Sequence, residues 1–242
     1  MKPERSIEWH SVIDSTMHRA AALAREGAPA GTIVGADQQT AGHGRLGRPW
    51  HSASSGGLYF TVILRPQLPA AGLPLVTLAL GVAVADAVQL FTGLACDLRW
   101  PNDVLANGRK LAGILTQMQD GAVLAGVGLN VNQADFPPEL REIATSVILE
   151  TGTGHDKHFL MRAIAGAIES NVKILETSGT EAILRLFTAA SSYVEGRRVV
   201  VELPTGEVTG VTAGLTPDGF LLLRTGAGET LTITAGGVRP AS

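Results

Sequence analysis

Apolar and polar positions follow two different rhythms along this chain, and the change between them divides it. Asp14-Ser15-Thr16 precede a run rich in Ala and Leu that stops at Gly27. Capping residues before it and a glycine after it predict a helix of about two to three turns. Thr32–Ala36 is short, apolar and β-branched, which predicts a buried strand, and Leu58–Leu64 reads as another. The most apolar run, Leu73 to Ala85, spans 13 residues, contains Pro74 and Gly81 and stops at Asp86. It is too short for a bilayer. It predicts a buried helix opened by Pro74 and reaching about Phe91. Lys110–Met118 and Ala122–Val131 predict two strands joined by a tight turn at Asp120-Gly121. Phe159, Ala163, Ile164, Ala167, Ile168 and Leu175 recur at helical spacing, and a further helix is expected around Glu181–Ala189.

After Tyr193 the rhythm shortens. Arg198–Leu203, Val208–Ala213, Phe220–Arg224 and Thr230–Thr234 are brief strand-like runs. Pro204-Thr205-Gly206, Pro217-Asp218-Gly219 and Gly226-Ala227-Gly228 separate them. Short strands at regular spacing predict a small β-barrel. The expected division is a main domain over 1–192 and a terminal barrel over 193–242.

Composition narrows the function classes. At 45% hydrophobic and 17% charged residues the chain reads as folded and globular. A net charge of −3 gives no basis for a nucleic-acid surface, which needs clustered cations. Cys96 is the only cysteine, so neither a disulfide framework nor a Cys-based zinc site can form within the chain. Met1-Lys2-Pro3-Glu4-Arg5 lacks an apolar signal core. A cytoplasmic protein without membrane or nucleic-acid partners is the expectation.

Residues 40–57 break both rhythms with glycine, serine, arginine and histidine, and predict a mobile loop that carries chemistry. Within it, Gly42-His43-Gly44-Arg45-Leu46-Gly47-Arg48-Pro49-Trp50 alternates glycines with cationic side chains. Backbone N–H groups and guanidinium forks can converge there on an anion, and Trp50 can stack on a purine. The segment is neither a dinucleotide fingerprint nor a P-loop; taken alone it could equally be an ordinary surface loop. A second segment is Arg99-Trp100-Pro101-Asn102-Asp103 with Lys110-Leu111-Ala112-Gly113-Ile114-Leu115. Pro101 turns the chain and presents Asn102 and Asp103 on a loop, while Lys110 places an ammonium at the rim of the core. A polar turn beside a snorkelling lysine is the plainer alternative. The third, Gly126-Val127-Gly128-Leu129-Asn130, suits either close approach of a flat ligand to backbone or a β-bulge.

In this order and at these distances the segments resemble the biotin–protein ligase family. Its pattern runs Ser-Thr-Asn, then Gln-x-x-Gly-Arg-Gly-Arg-x-Gly-Arg-x-Trp, Lys-Trp-Pro-Asn-Asp, Lys-Leu-x-Gly-Ile-Leu and Gly-x-Gly-x-Asn. These stand here as Ser15–Met17, Gln39–Trp50, Arg99–Asp103, Lys110–Leu115 and Gly126–Asn130. The resemblance implies an α+β fold: a mixed, largely antiparallel sheet flanked by helices, followed by a Src-homology-3-like β-barrel. It implies ATP-dependent activation of biotin to biotinyl-AMP, with Mg2+ accompanying ATP and no metal site on the protein. Transfer to a lysine of a biotin carboxyl carrier protein, a subunit of acetyl-CoA carboxylase or another biotin-dependent carboxylase, would follow. The implied biotin positions are Ser15, Thr16, Met17, Gln39, Gly42, His43, Gly44, Arg45, Lys110 and Gly113. Arg45, Arg48, Trp50, Asn102 and Asn130 are the implied nucleotide contacts. Lys110, Arg45 and Asp103 are the implied catalytic set, with Asp103 placed to orient or deprotonate the carrier lysine.

Three positions depart from the pattern. His43 stands for an Arg, Met17 for an Asn and Arg99 for a Lys; they bear on affinity and pH dependence rather than on the family. The Ser-Thr motif arrives at residue 15, so the expectation is a monofunctional ligase without the helix-turn-helix of bifunctional members. A lipoate–protein ligase is the enzymatic alternative, and a non-catalytic biotin sensor the alternative of another class. Arg45–Trp50, Trp100–Asp103 and the terminal barrel favour biotin. His155 and His158 have the spacing of metal ligands but no third partner nearby in sequence, and read as solvent-facing. An exposed sheet edge could support a homodimer.

Overall fold

The structure, a computed structural model, describes residues 5–52, 56–204 and 206–241. Met1–Glu4, Thr205 of the first barrel turn and residues 53–55 of the glycine-rich loop lie outside the described residues.

Seven strands form the main sheet. They are β1 (Ile7–Ile13), β2 (Ile33–Gln39), β3 (Gly57–Leu64), β4 (Asp97–Arg99), β5 (Asp103–Ala106), β6 (Arg109–Gln119) and β7 (Ala122–Asn130), in the order β1-β2-β3-β7-β6-β5-β4. Only β1 and β2 pair in parallel, because α1 (Thr16–Arg25) carries the chain back between them. Every other neighbouring pair is antiparallel. The expected mixed, largely antiparallel sheet is therefore present.

β3 is buried at every position and β7 at all but one, so their apolar runs are continuous. Helices cover both faces. α2 (Leu73–Thr92), α4 (Lys157–Ser178) and α5 (Thr180–Ala189) pack on one side around Phe60, Leu78, Ile164 and Phe187. α1 closes the other side with a smaller cluster of Met17, Ala20, Val34, Ile63 and Leu124. Among the described residues α2 is the one helix long and apolar enough to cross a membrane, yet most of it is buried between the sheet, α4 and α5. Pro74 opens it, and Gly93 ends it in the left-handed conformation. α4 is capped by Asp156, whose carboxylate accepts from the His158 and Phe159 amides.

The Asp120-Gly121 turn has both residues at positive φ, as a two-residue hairpin requires. Asn107-Gly108 makes the same turn between β5 and β6, a hairpin outside the expected ones. β1, β5 and the short α3 (Val147–Thr151) were also not anticipated. Ser15 occupies the N-cap of α1 without making a side-chain cap bond, so its hydroxyl is not committed to starting the helix. Asp103 begins a strand instead of sitting on a loop.

The terminal unit is a five-stranded antiparallel sheet of β8 (Glu195–Leu203), β9 (Gly206–Leu215), β10 (Leu221–Thr225), β11 (Thr230–Ile233) and β12 (Gly237–Pro240), ordered β11-β10-β9-β8-β12. The first four are the expected strands; β12 is additional. This unit is seated on the main domain through Gly219. The buried Trp100 indole N–H donates to the Gly219 carbonyl at 2.9 Å, and a Cβ on Gly219 would fall 3.0 Å from Leu78 and 3.2 Å from Leu75 of α2.

Candidate functional site

A cavity of about 140 Å³ opens on the face of the main sheet where β6 and β7 run side by side. Its floor is set by glycines. Gly113 of β6 and Gly128 of β7 are direct cross-strand partners, and the Trp50 indole lies across both. A Cβ on Gly113 would fall 2.9 Å from the ring, and one on Gly128 2.6 Å. Two residues further along β7, Gly126 leaves a notch for the Met17 sulfur, which a Cβ would approach to 2.8 Å. Alternating glycines on one face of a strand thus clear two adjacent seats.

One end of the cavity is neutral and hydrogen-bonded. The buried Thr61 hydroxyl donates to the Thr16 hydroxyl at 2.9 Å. Thr16 in turn donates its backbone N–H (2.9 Å) and hydroxyl (3.1 Å) to the Gln39 side-chain oxygen. Gln39 Nε2 donates to the Ser52 hydroxyl at 3.3 Å. With its oxygen taken twice, the Gln39 amide is fixed in orientation and has only N–H left to offer. Ser15, 1% exposed, lines the cavity beside it.

The opposite end is cationic. Lys110 Nζ lies 2.6 Å from Asp103 Oδ1 and 5.3 Å from the Trp50 ring centroid, within cation–π reach. Arg99 holds the other Asp103 oxygen at 2.7 Å. Burial alone would raise the Asp103 pKa, but the attraction of Lys110 and Arg99 outweighs it and holds the carboxyl below its ordinary value. Arg45 donates to Asn102 Oδ1 at 3.4 Å and to the Gly236 carbonyl at 3.3 Å. Burial draws its guanidinium pKa down, partly offset by Asp103; guanidinium remains charged at neutral pH.

The glycine-rich loop is folded back on itself as a compact turn. Gly44 N–H donates to the Arg48 carbonyl at 2.8 Å, Trp50 N–H donates to the Gly42 carbonyl at 2.9 Å, and His43 and Pro49 form a bridge between them. Leu46 and Gly47 both take left-handed conformations (φ 57° and 70°) to make the reversal. That geometry aims Arg45, Arg48 and Trp50 at one volume.

Ser15, Thr16, Met17, Gln39, His43, Gly44, Arg45, Arg48, Trp50, Asn102, Asp103, Lys110 and Gly113 all line this cavity. Gly42 and Asn130 are not in its wall. Gly42 lies behind it, where a Cβ would come within 2.9 Å of both Ser52 Oγ and Gln39 Nε2. Asn130 is 4% exposed; it donates to the Thr145 carbonyl at 2.9 Å and accepts from Gln133 at 3.1 Å, so it ties β7 to the following segment. Asn102 lines the cavity with its amide N–H committed to the Ile114 carbonyl at 2.9 Å. Phe60, Ile114 and Leu115 add apolar wall, and Gly236 and Gly237 bring in the terminal unit. Only the adjacent glycine pair at 236–237 marked the last two in the sequence. His158 packs against Trp9 at 4.3 Å, and among the described residues no cluster of three His, Cys, Asp or Glu could hold a metal.

Residues 9–133 match the Biotin/lipoate A/B protein ligase family, and residues 196–238 match the Biotin protein ligase C terminal domain. The bifunctional ligase/repressor BirA of Bacillus subtilis is 38% identical over 227 residues, covering 91% of this chain and 70% of that protein. The biotin--[acetyl-CoA-carboxylase] ligase of Paracoccus denitrificans is 34% identical, over 89% of this chain and 93% of its own. Among solved structures, a biotin protein ligase from Aquifex aeolicus in complex with biotin and ATP superposes with a TM-score of 0.87. It has 31% identity and covers 98% of this chain and 100% of that one.

Proposed function

Because the chain belongs to the biotin protein ligases of the biotin/lipoate A/B protein ligase family, we propose that this cavity binds biotin and ATP end to end and couples them. The chain is a biotin–protein ligase. The observation that carries the assignment of ligands to ends is the polarity of the cavity. A neutral hydrogen-bonding end at Gln39 faces a cationic end at Lys110, Arg45 and Arg48.

The uncharged ureido ring belongs at the neutral end. Gln39 Nε2 is oriented to donate to its oxygen, Ser15 is free of a capping role, and Met17 and Trp50 supply apolar contact. The valerate carboxylate then points toward Lys110, and the ATP phosphates come under Lys110, Arg45 and Arg48. The carboxylate is already ionised and needs no base. It attacks the α-phosphorus and pyrophosphate leaves, so catalysis consists of alignment and neutralisation of charge building on the phosphoryl oxygens. Mg2+ supplies further neutralisation as part of the Mg-ATP substrate. The cavity wall offers it one carboxylate, Asp103, already bound to two cations.

In the second step a carrier lysine attacks the mixed anhydride and AMP leaves. Asp103 is a poor proton acceptor, since Lys110 and Arg99 hold its carboxyl below its usual range. Its role is to fix Lys110, and the carrier lysine reaches the anhydride having lost its proton to solvent. A biotin carboxyl carrier protein is the acceptor on this reading.

The test is incubation of the purified protein with Mg-ATP and either biotin or lipoate, measuring pyrophosphate release and the adenylate formed. Biotinyl-AMP with biotin alone is expected. Adenylate formed from lipoate instead would overturn the assignment.

A further inference from the structure

The loop and the terminal unit are joined by a row of alternating charges. Arg48 Nη2 donates to Glu202 Oε2 at 2.5 Å. The second oxygen of Glu202 lies 3.5 Å from Arg239 Nε, and Arg239 Nη2 donates to Glu207 at 2.9 Å. Of these four, Arg48 alone lines the cavity. Glu202 sits near the end of β8, opposite Gly237 of β12, so its backbone is held by the same strand pair that brings Gly236 and Gly237 into the wall.

We propose that Glu202 is a positioning residue that occupies Arg48 in place of phosphate and surrenders it to the ATP triphosphate, with Arg239 keeping the carboxylate neutralised after the exchange. The proposal rests on the reading of Arg48 as a phosphate ligand. Carboxylate and phosphate oxygens compete for the same guanidinium fork. Arg48 and Glu202 are both well exposed, at 61% and 36% of their side-chain area. An exposed ion pair is weak, so a multiply charged phosphate chain displaces it readily. Arg239 makes the exchange cheaper, because Glu202 is not left without a cation when Arg48 departs. The Arg48 hydrogen bond, with Arg239 adding to it, keeps Glu202 ionised well below neutrality, so the competitor is always charged at working pH. The pair also tethers the loop in the absence of ligand.

Biotin-dependent pyrophosphate–ATP exchange on the full chain reads this directly. Glu202→Gln frees Arg48 and is expected to lower KM for ATP about two- to five-fold, the range an exposed pair spans. Arg239→Gln leaves Glu202 with Arg48 as its remaining close cation and should raise KM for ATP by a similar factor. KM for biotin and kcat should stay at the wild-type values in both. Trypsin should cut the loop after Arg45, the Arg48–Pro49 bond being resistant, faster in ligand-free Glu202→Gln, and biotin with ATP should erase the difference. Glu202→Asp, one methylene shorter, is a second variant expected to behave as Glu202→Gln. If Glu202→Gln and Arg239→Gln move KM for ATP in the same direction, or neither moves it while Arg48→Gln raises it, the exchange is wrong and the phosphate role of Arg48 survives. If Arg48→Gln itself leaves KM for ATP unchanged, the reading of Arg48 falls and the exchange with it.

Discussion

Lys110 and Asp103 meet at 2.6 Å across the β5–β6 hairpin, with Arg99 on the far oxygen of the same carboxylate. One half-buried anion therefore serves two cations, and only one of them, Lys110, faces the cavity. Asp103→Asn removes the anion and leaves Arg99 and Lys110 close together. A stability loss of about 2–3 kcal/mol is expected in urea denaturation, below the value for a fully buried pair because Lys110 keeps some solvent contact. Lys110→Ala should instead spare most of the stability and lower kcat/KM for adenylation about 10²- to 10³-fold, the scale of losing one preorganised charge stabiliser.

The same carboxylate sets an acid limit. Its folded pKa is depressed below the ordinary 3.8 by Lys110 and Arg99 despite burial. Its contribution to stability is therefore complete above the unfolded value of about 4 and is lost as pH falls through the lower folded value. Urea midpoints measured from pH 7 downward should be flat for this term until about pH 4 and then decline. In Asp103→Asn that declining component should be missing.

Gly128 is read as a seat for Trp50. Gly128→Ala puts a methyl 2.6 Å from the indole and should cost about 1–3 kcal/mol, as overpacking does. Trp50→Ala removes the obstacle, so the cost of Gly128→Ala measured in a Trp50→Ala background should shrink toward zero. Equal costs in the two backgrounds would show that the collision is elsewhere.

Thr61 does not reach the cavity wall, yet it starts the chain of hydroxyls that orients Gln39. Thr61→Val preserves shape and deletes the donor. KM for biotin is expected to rise about 3- to 10-fold, the worth of one hydrogen bond. KM for ATP should not change, since the chain ends at the neutral pole. A parallel rise in both constants would assign Thr61 to general packing.

Much of the fold was legible because burial on two faces writes itself as uninterrupted apolar sequence, as in Leu58–Leu64, or because a turn demands particular residues, as at Asp120-Gly121. β1 was not legible. Trp9 fits there only because Gly35 on β2 lies opposite, where a Cβ would fall 2.3 Å from the ring, and such a pairing depends on register rather than on either residue's surroundings in sequence. The site shows the same divide. Residues of the loop and the strand ends are legible through the joint order and spacing of several segments that resemble one family, since the alternation of glycine and arginine alone fits an ordinary surface loop equally well. Asn130 and Gly42 carry the same local signature as their neighbours and still face away, because side-chain direction is settled by the strand's two-residue period and by what packs behind. Gly236 and Gly237 reach the cavity from a different unit altogether, which no spacing within the main domain could disclose.

The three tryptophans differ in one respect. Trp9 donates its indole N–H to Asp37 and Trp100 donates to the Gly219 carbonyl, whereas the Trp50 N–H is buried without a partner among the described residues. An indole that sits beside an ammonium group in the cavity wall is, on the proposed function, a built-in optical probe. With Trp9 and Trp100 held in fixed surroundings, the emission of the unlabelled protein becomes a readout of occupancy, and substrate titrations can be followed without attaching a dye.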